Sequence, residues 1–573
     1  LPIVSVYPKA IMPITNRINF RHVRGDILGG LTAAVVALPM ALAFGIASGA
    51  GAAAGLWGAI LVGFFAALFG GTPSLISEPT GPMTVIITAV IAETTASNPE
   101  NGLAMAFTVV MLAGLFQIGF GLLRLGRYIT MLPYNVISGF MTGIGVILIF
   151  MQLAPFLGQE TPSGGVLGVI KNLPTLVMSL NFWETALGSL TLVILFLYPS
   201  SLKKVVPPQL VALVVGTIVS LTLLGDIDLR TIATIGEITP GLPELQLPTF
   251  TTGNLRLMFV NAMILAMVGS IDCLLTCLVA DSLVRTDYKS NKELIGQGIA
   301  NLITGLSGGI AGSGATTATV VNIQAGGRTA LSGIARAFVL LVVALWAAPL
   351  MSGIPLAVLA AIVLKVGIDI IDWGFLKRVH HISWKAAGIV YGVVVLTVFV
   401  DLMVAVGVGV FIANILTIAR LEELQSKSVK AITDADDQIV LTPDEKQTLD
   451  LANGRMLLFH LSGPMIFGVA KAISREHGAS NNYDVLIVDL HDVPILGVTS
   501  SLAIENAIQE AVKAGREAIV VGATGKVKRR LEKLGISEII PEDRWMDDRL
   551  VALRKGLEIV EKRNPDWVEG VTQ

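Results

Sequence analysis

Long apolar runs separated by short polar joints fill the chain up to about Arg420, and few folds can accommodate such a pattern. A helix crossing a bilayer needs about 20 apolar residues, fewer where it is broken inside protein. Runs of that kind lie at 28–48, 54–71, 80–93, 102–122, 128–152, 186–199 and 208–225. A second set lies at 256–280, 292–308, 316–327, 330–350, 354–371, 384–400 and 401–420. Composition agrees: 53% of the 573 residues are hydrophobic and 14% charged, with a mean hydropathy of +0.74. Soluble chains average roughly 45–50% apolar and 25% charged, so the expectation is a polytopic membrane protein. A net charge of -2 leaves no footprint for nucleic acid, and two cysteines exclude a disulfide framework.

The distribution of basic residues tests the count of spans. Numbered from a cytoplasmic N-terminus, the even loops carry Arg124 and Arg127, Lys203 and Lys204, Arg285, Lys289 and Lys292, Arg328, Lys377, Arg378 and Lys385. The odd loops offer Lys171, Arg230 and Arg256 beside the acidic Glu93, Glu100, Asp226 and Asp228. Fourteen spans with both termini in the cytoplasm fit this bias. The arm over 1–25 adds Arg17, Arg21 and Arg24; its first 11 residues read as dispensable, with Met12 as a natural start. No convincing cleavage site follows the first apolar run, so a signal peptide is rejected.

Seven spans plus seven suggest an inverted repeat, because an odd number per repeat turns the second half over. Gly70-Gly71 leads through a loop to Glu78-Pro79-Thr80-Gly81-Pro82 and a short third span; Gly308-Gly309 leads through Ile310 to Ala315 and a short tenth span. Broken, undersized helices at corresponding places in two halves point to a midplane binding site.

From Leu421 onward the chain turns charged. The stretch 421–454 reads as a linker, and 455–573 as a small cytoplasmic α/β domain. Its expected strands are Met456 to Phe459, Val485 to Val488 and Ala518 to Val521, with helices over Ser501 to Lys513, Val527 to Leu534 and Asp548 to Glu561.

Asp272 is the residue on which chemistry turns. It sits deep in the eighth apolar run with no cation nearby in sequence, a placement that costs at least a few kcal/mol without a cavity or partner. Thr276, one turn on, shares its face. A carboxylate, a hydroxyl and backbone carbonyls of a broken helix make an oxygen cage for a hard cation. The alternative is a neutral Asp hydrogen-bonded to a neighbouring helix. Near Thr80 and Thr316, helix N-termini would offer unpaired N–H groups and partial positive charge to an anion, with hydroxyls of Thr80, Thr316 and Thr317 as further donors. Tight helix crossing is the competing explanation. A cation on Asp272 would then permit the anion, a coupling that must be reciprocal.

Other residues fit simpler roles. Cys273 and Cys277 read as small hydrophobes, six scattered histidines give no zinc signature, and Gly308 to Gly314 matches no nucleotide loop. Lys365 and Asp369, spaced i,i+4, read as a paired or snorkelling charge rather than part of a pathway. Nothing indicates an enzyme or a cofactor beyond a coupling ion.

The residues quoted above, with Arg24-Gly25-Asp26, Gly29 to Ala34, Ile76 to Thr84, Gly269 to Thr276 and Gln324 to Thr329, resemble the sulfate permease (SulP) family with its STAS domain. The resemblance covers nearly the whole chain from Met12, and it is nearest to the cyanobacterial sodium-dependent bicarbonate transporters. It implies fourteen spans in a UraA-like fold. Spans 1–4 and 8–11 form a mobile core, spans 5–7 and 12–14 a gate, and the protein is a homodimer working as an elevator in the cytoplasmic membrane. It also implies sodium at Asp272, Thr276 and Thr316 with backbone at Gly314 and Ala315, and bicarbonate between Thr80 and Ala315–Thr316. Two departures stand out. Ala318 occupies the place where many sulfate-type relatives carry Arg, which disfavours sulfate. Gly497-Val498-Thr499-Ser500 lacks the acid of many STAS domains, which disfavours phosphorylation at Thr499 and leaves a dimerising or regulatory module. The expectation is sodium/bicarbonate symport. Its rivals are proton-coupled transport of another small anion (sulfate, another monovalent or a dicarboxylate) or of nucleobases, an anion channel, and a regulatory scaffold.

Overall fold

The computed structural model describes residues 15–16, 22–129, 133–199, 202, 206–225, 227–235, 241–250, 253–285, 288–347, 351–400, 402–434, 439–466, 469–479 and 482–563. Most of the expected arm over 1–25, with Met12, Arg17 and Arg21, and the loop residues Lys203, Lys204 and Asp226 lie outside them. Two compact units divide between Phe411 and Ile412.

Each of the fourteen expected runs coincides with a helix of the described residues. In the first half these are α1 (Val23–Ala47), α2 (Ala52–Phe69), α3 (Gly81–Ser97), α4 (Gly102–Leu122), α5 (Tyr134–Phe156), α6 (Phe182–Leu197) and α7 (Pro208–Leu223). The second half has α8 (Leu255–Val284), α9 (Ser290–Leu306), α10 (Thr316–Gln324), α11 (Ala330–Trp346), α12 (Leu356–Ile370), α13 (Trp384–Phe399) and α14 (Leu402–Ser426). Five of them, α1, α2, α4, α5 and α8, are individually long and apolar enough to cross a membrane. Large apolar side chains such as Val193 and Phe196 on α6, Ile218 and Leu221 on α7, and Phe411 and Ile415 on α14 are exposed, as a lipid-facing surface requires.

The sequence reading missed a helix over Gly165–Met178, bent by 112° from α6. It is amphipathic rather than uniformly apolar, burying Val166, Val169 and Leu176 while exposing Leu167, Ile170 and Val177, so a search for long apolar runs passes over it. Helix α3 also continues past its expected end at 93 to Ser97, with Thr94 buried.

Glycines let α4 and α9 approach until their backbones touch. A Cβ on Gly298 would lie 2.5 Å from the Gly114 carbonyl oxygen, and one on Gly114 would lie 2.5 Å from that of Gly298. Small residues at such crossings supply the close packing that hydrocarbon cannot drive by itself. At the start of α11, buried Asp26 of α1 accepts hydrogen bonds from the Arg328 and Thr329 amides (2.7 and 2.9 Å) and the Thr329 hydroxyl (2.6 Å). Those donors account for the carboxylate of the Arg24-Gly25-Asp26 stretch.

Two short strands lie inside this unit. β1 (Ser77–Glu78) pairs antiparallel with β2 (Ser313–Gly314), Ser77 opposite Gly314 and Glu78 opposite Ser313. Each strand comes just before a half-helix, α3 and α10, so the broken segments of the two halves meet as an inverted repeat requires.

The second unit contains a five-stranded sheet in spatial order β3 (Val429–Ile432), β4 (Met456–Ser462), β5 (Val485–Asp492), β6 (Glu517–Val521) and β7 (Trp545–Met546). β3 is antiparallel to β4 and the remaining pairs are parallel. Helices α15 (Pro443–Leu451), α16 (Val469–Ala479), α17 (Val498–Lys513), α18 (Gly525–Lys533) and α19 (Arg549–Arg563) cover it. Phe459, Val488 and Val520 pack on one face with Ile473, Ile504 and Leu531; Leu458, Ile487 and Ile519 pack on the other with Leu449, Leu553 and Val560. A sheet buried on both faces explains why its strands read as continuous apolar runs. The stretch expected as a linker, 421–454, contributes the edge strand β3 and the helix α15. Its polarity is local chemistry: Thr442 and Glu445 form a reciprocal capping box at the start of α15.

Candidate functional site

The residues singled out for chemistry converge on one cavity of about 370 Å³ in the first unit. Thr80, Asp272, Gly314, Ala315, Thr316 and Thr317 line it, together with Met40 and Phe44 of α1 and Val366, Asp369 and Ile370 of α12. Thr276 lies one turn along α8, buried behind Gly314.

Two helix starts face this cavity. Thr80 caps α3 in extended conformation with Pro82 in the first turn, and Ala315 caps α10 in the same way. In neither does a side chain accept from the first amides, so those N–H groups and the positive ends of the helix dipoles are available to an anion. Ala315 itself donates to the Ile76 carbonyl (2.8 Å), and the Thr319 hydroxyl accepts from the Ile76 amide (3.0 Å), which fixes α10 against β1.

Asp272 stands between those starts. Its Oδ2 accepts from the Thr80 hydroxyl at 2.8 Å and also from the Ser313 hydroxyl, and these two hydroxyls are 3.0 Å apart. One turn away the Thr276 hydroxyl donates to the Gly314 carbonyl at 2.9 Å and lies 2.9 Å from the Thr316 hydroxyl. The donor set is entirely oxygen: a carboxylate, hydroxyls and a carbonyl. That chemistry fits a hard cation and not a thiophilic one.

A polar scaffold holds the glycine loop before α10. Gln297 and Asn301 of α9 donate to the Gly312 carbonyl at 2.9 and 3.0 Å, and the Gly312 amide donates to Asn301 Oδ1 at 2.9 Å. On the opposite side Glu293 Oε2 accepts from the Gly71 and Thr72 amides at 2.7 and 2.8 Å. Cys273 and Cys277 are buried, as small hydrophobes would be, and they also face Glu293. Both thiols act as polar neighbours as well as packing groups; Thr72 donates to Cys277 Sγ at 3.2 Å.

Three members of the site escaped the sequence reading. Ser313 lay in a stretch read only as irregular backbone. Glu78, in the cavity wall, forms a buried ion pair with Arg336, which also donates to the carbonyls of Ala59 (3.1 Å) and Ser77 (3.2 Å). The signal was present: an arginine within the eleventh apolar run is as expensive as Asp272 in the eighth, and calls for a partner on the same grounds. Lys365 and Asp369 are paired as expected, at 2.5 and 2.6 Å, and both line an opening beside the cavity.

In the second unit buried Asp489 accepts from Arg549 Nε at 2.7 Å and the His491 amide at 3.1 Å, with His460 Nδ1 at 2.8 Å. Burial pushes its pKa up, but the His460 hydrogen bond, the Arg549 charge and the His491 amide outweigh that and hold the carboxyl below its usual range. The start of α17 is capped by Gly497, and no acidic residue lies in its first turn, which holds Thr499.

Comparison with known proteins places this geometry. The sulfate permease family matches over residues 23–393 and the STAS domain over 450–551. A "Bicarbonate transporter BicA" of Synechocystis is 65% identical over 543 residues, 95% of this chain and 96% of that protein. Another of the same name, from Picosynechococcus, is 61% identical over 563 residues, 98% and 99% of the two chains. A solved structure titled as the transmembrane domain of a cyanobacterium bicarbonate transporter BicA is 64% identical, with a TM-score of 0.65, and covers 69% of this chain and all of its own.

Proposed function

The chain belongs to the sulfate permease family of multi-pass membrane transporters, with a C-terminal STAS domain, and from that premise we propose that it imports bicarbonate together with sodium. The relatives named for bicarbonate support the choice of anion. The observation that carries the coupling is the carboxylate of Asp272, hydrogen-bonded to Thr80 where α3 begins and to Ser313 just before α10.

Bare, that carboxylate repels an anion approaching the two helix starts. Sodium held by Asp272, Thr276 and Thr316, with backbone oxygens of Gly314 and Ala315, cancels the repulsion. The exposed amides and hydroxyls of Thr80, Thr316 and Thr317 then bind bicarbonate. Each ligand raises the affinity of the other by the same factor. Ala318, where an arginine would supply a fixed positive charge, leaves the mobile cation as the neutralising group and favours a monovalent anion.

Alternating access in this reading is elevator-like: helices α1–α4 and α8–α11 carry the site against α5–α7 and α12–α14. The protein resides in the cytoplasmic membrane with both termini inside and dimerises through its STAS domain.

The deciding experiment is uptake of labelled bicarbonate by purified protein in liposomes, with sodium and proton gradients imposed separately. Wild type should accumulate bicarbonate only with inward sodium, and Asp272→Asn should lose that dependence while remaining folded. Accumulation driven by a proton gradient alone, or sodium dependence unchanged in the variant, overturns the coupling.

A further inference from the structure

Beside the inner cavity lies a second opening of about 680 Å³, which shares Val36, Gln209, Thr317 and Asp369 with it. Any ion exchanging with the inner site through this opening passes Lys365 and Asp369. Among the described residues the other polar side chains around it, Thr32, Gln209, Thr317 and Gln324, are neutral.

The ion pair is poorly placed to serve its own helix. Lysine precedes aspartate at i,i+4, the weaker of the two orders. Asp369 also sits in the last turn of α12, which ends at Ile370, where the helix dipole already presents negative charge. Its side chain is 58% exposed, so solvent screens the contact and it adds little to stability. The lysine is differently situated. Its side chain is 18% exposed, and its ammonium lies 5.1 Å from the centroid of the Phe196 ring, a contact that keeps it in the wall even without its carboxylate.

On the reading above, the transported ion is bicarbonate, a planar monoanion whose O–C–O group has the shape and charge of a carboxylate. We propose that Lys365 is an outer station for the transported anion, with the Asp369 carboxylate as a placeholder that yields to it. Arriving bicarbonate takes over the ammonium donors as Asp369 turns into the opening. On departure the aspartate returns, so the lysine does not retain the ion. An unpaired lysine would trap the anion, and an unpaired aspartate would turn it away.

The test uses full-length protein in liposomes and initial rates of labelled bicarbonate uptake, read as KM, kcat and apparent sodium affinity at several ionic strengths. Lys365→Met should raise KM about ten-fold and remove most of its dependence on salt, because steered encounter is lost. Lys365→Arg should restore both. Asp369→Asn should lower KM and also lower kcat, since release from the station slows. Apparent sodium affinity, measured at saturating bicarbonate so that the coupling between the ligands does not enter, should stay at the wild-type value in all three. A Lys365→Met protein with wild-type KM and salt dependence overturns the station, as does equal damage in the Met and Arg variants, which marks a packing role. Should wild type take up a different small anion and not bicarbonate, the proposed substrate fails, and the same three variants measured with that anion still decide the station.

Discussion

The hydroxyl of Thr80 donates to Asp272 at 2.8 Å, joining the cap of a half-helix in one repeat to the middle of α8 in the other. Nearly two hundred residues separate them along the chain, |i−j| being 192. The bond places the cap of an anion-attracting helix end on the carboxylate proposed to bind sodium, so neither ligand site is chemically independent of the other.

Removing that hydroxyl should therefore weaken both ligands. Thr80→Val is expected to raise the KM for bicarbonate and the half-saturating sodium concentration together, each by about five-fold, the worth of roughly one hydrogen bond. Thr80→Ser should stay near wild type. Uptake titrations in liposomes check this, and a change in only one of the two constants contradicts the linkage.

The Glu78–Arg336 pair predicts an asymmetry in stability. Arg336→Met or Glu78→Gln alone leaves a buried charge or acceptor without its partner and should cost about 3–5 kcal/mol. The double variant should recover much of that loss, because two neutral groups need no mutual compensation. Thermal unfolding of the detergent-solubilised protein measures all three.

Backbone contact between α4 and α9 gives a steric prediction. Gly298→Ala places a methyl group 2.5 Å from the Gly114 carbonyl, closer than packed atoms allow. Overpacking of this kind costs about 1–3 kcal/mol. Gly119→Ala on the same α4, where a Cβ would meet nothing within 4 Å, should leave the melting temperature unchanged or slightly higher.

Acid should loosen the STAS domain through Asp489. Its pKa is lower in the folded than in the unfolded chain, so its stabilisation is complete above the unfolded pKa, about 4, and disappears as pH falls through the folded one. Protection factors of the β4 and β5 amides in the intact protein, which correct for the pH dependence of intrinsic exchange, should fall across that window. Asp489→Asn should be less protected at pH 7 and should flatten the profile.

The physics that made some residues readable also explains which were hidden. Asp272 was legible because a carboxylate in an apolar run breaks the pattern, and both half-helices were legible because glycine doublets preceded shortened runs. All three then met at one cavity. Arg336 broke the same rule, but its partner Glu78 is 258 residues away, and local sequence says nothing of such pairing. Ser313 became visible only once β2 turned it toward Asp272. The helix over Gly165–Met178 and the helix α15 hid for a different reason: amphipathic and polar helices carry no run of hydrophobicity to find. The expected apolar runs fall on helices because backbone polar groups in a segment that crosses lipid must be satisfied within that segment.

The ribbon formed by β1 and β2 holds only two residue pairs, and successive side chains on a strand point to opposite faces. Sliding it by one residue would turn Ser313 away from Asp272 and Glu78 away from Arg336 in a single step. The buried ion pair resists that slide, since an unpaired charge in the interior is far more costly than a two-rung ladder is strong. Glu78 and Arg336 thus act as an alignment pin. Assigned to neither proposed ligand, they hold the two inverted halves of the chain in the one registration that gives the pocket its contents.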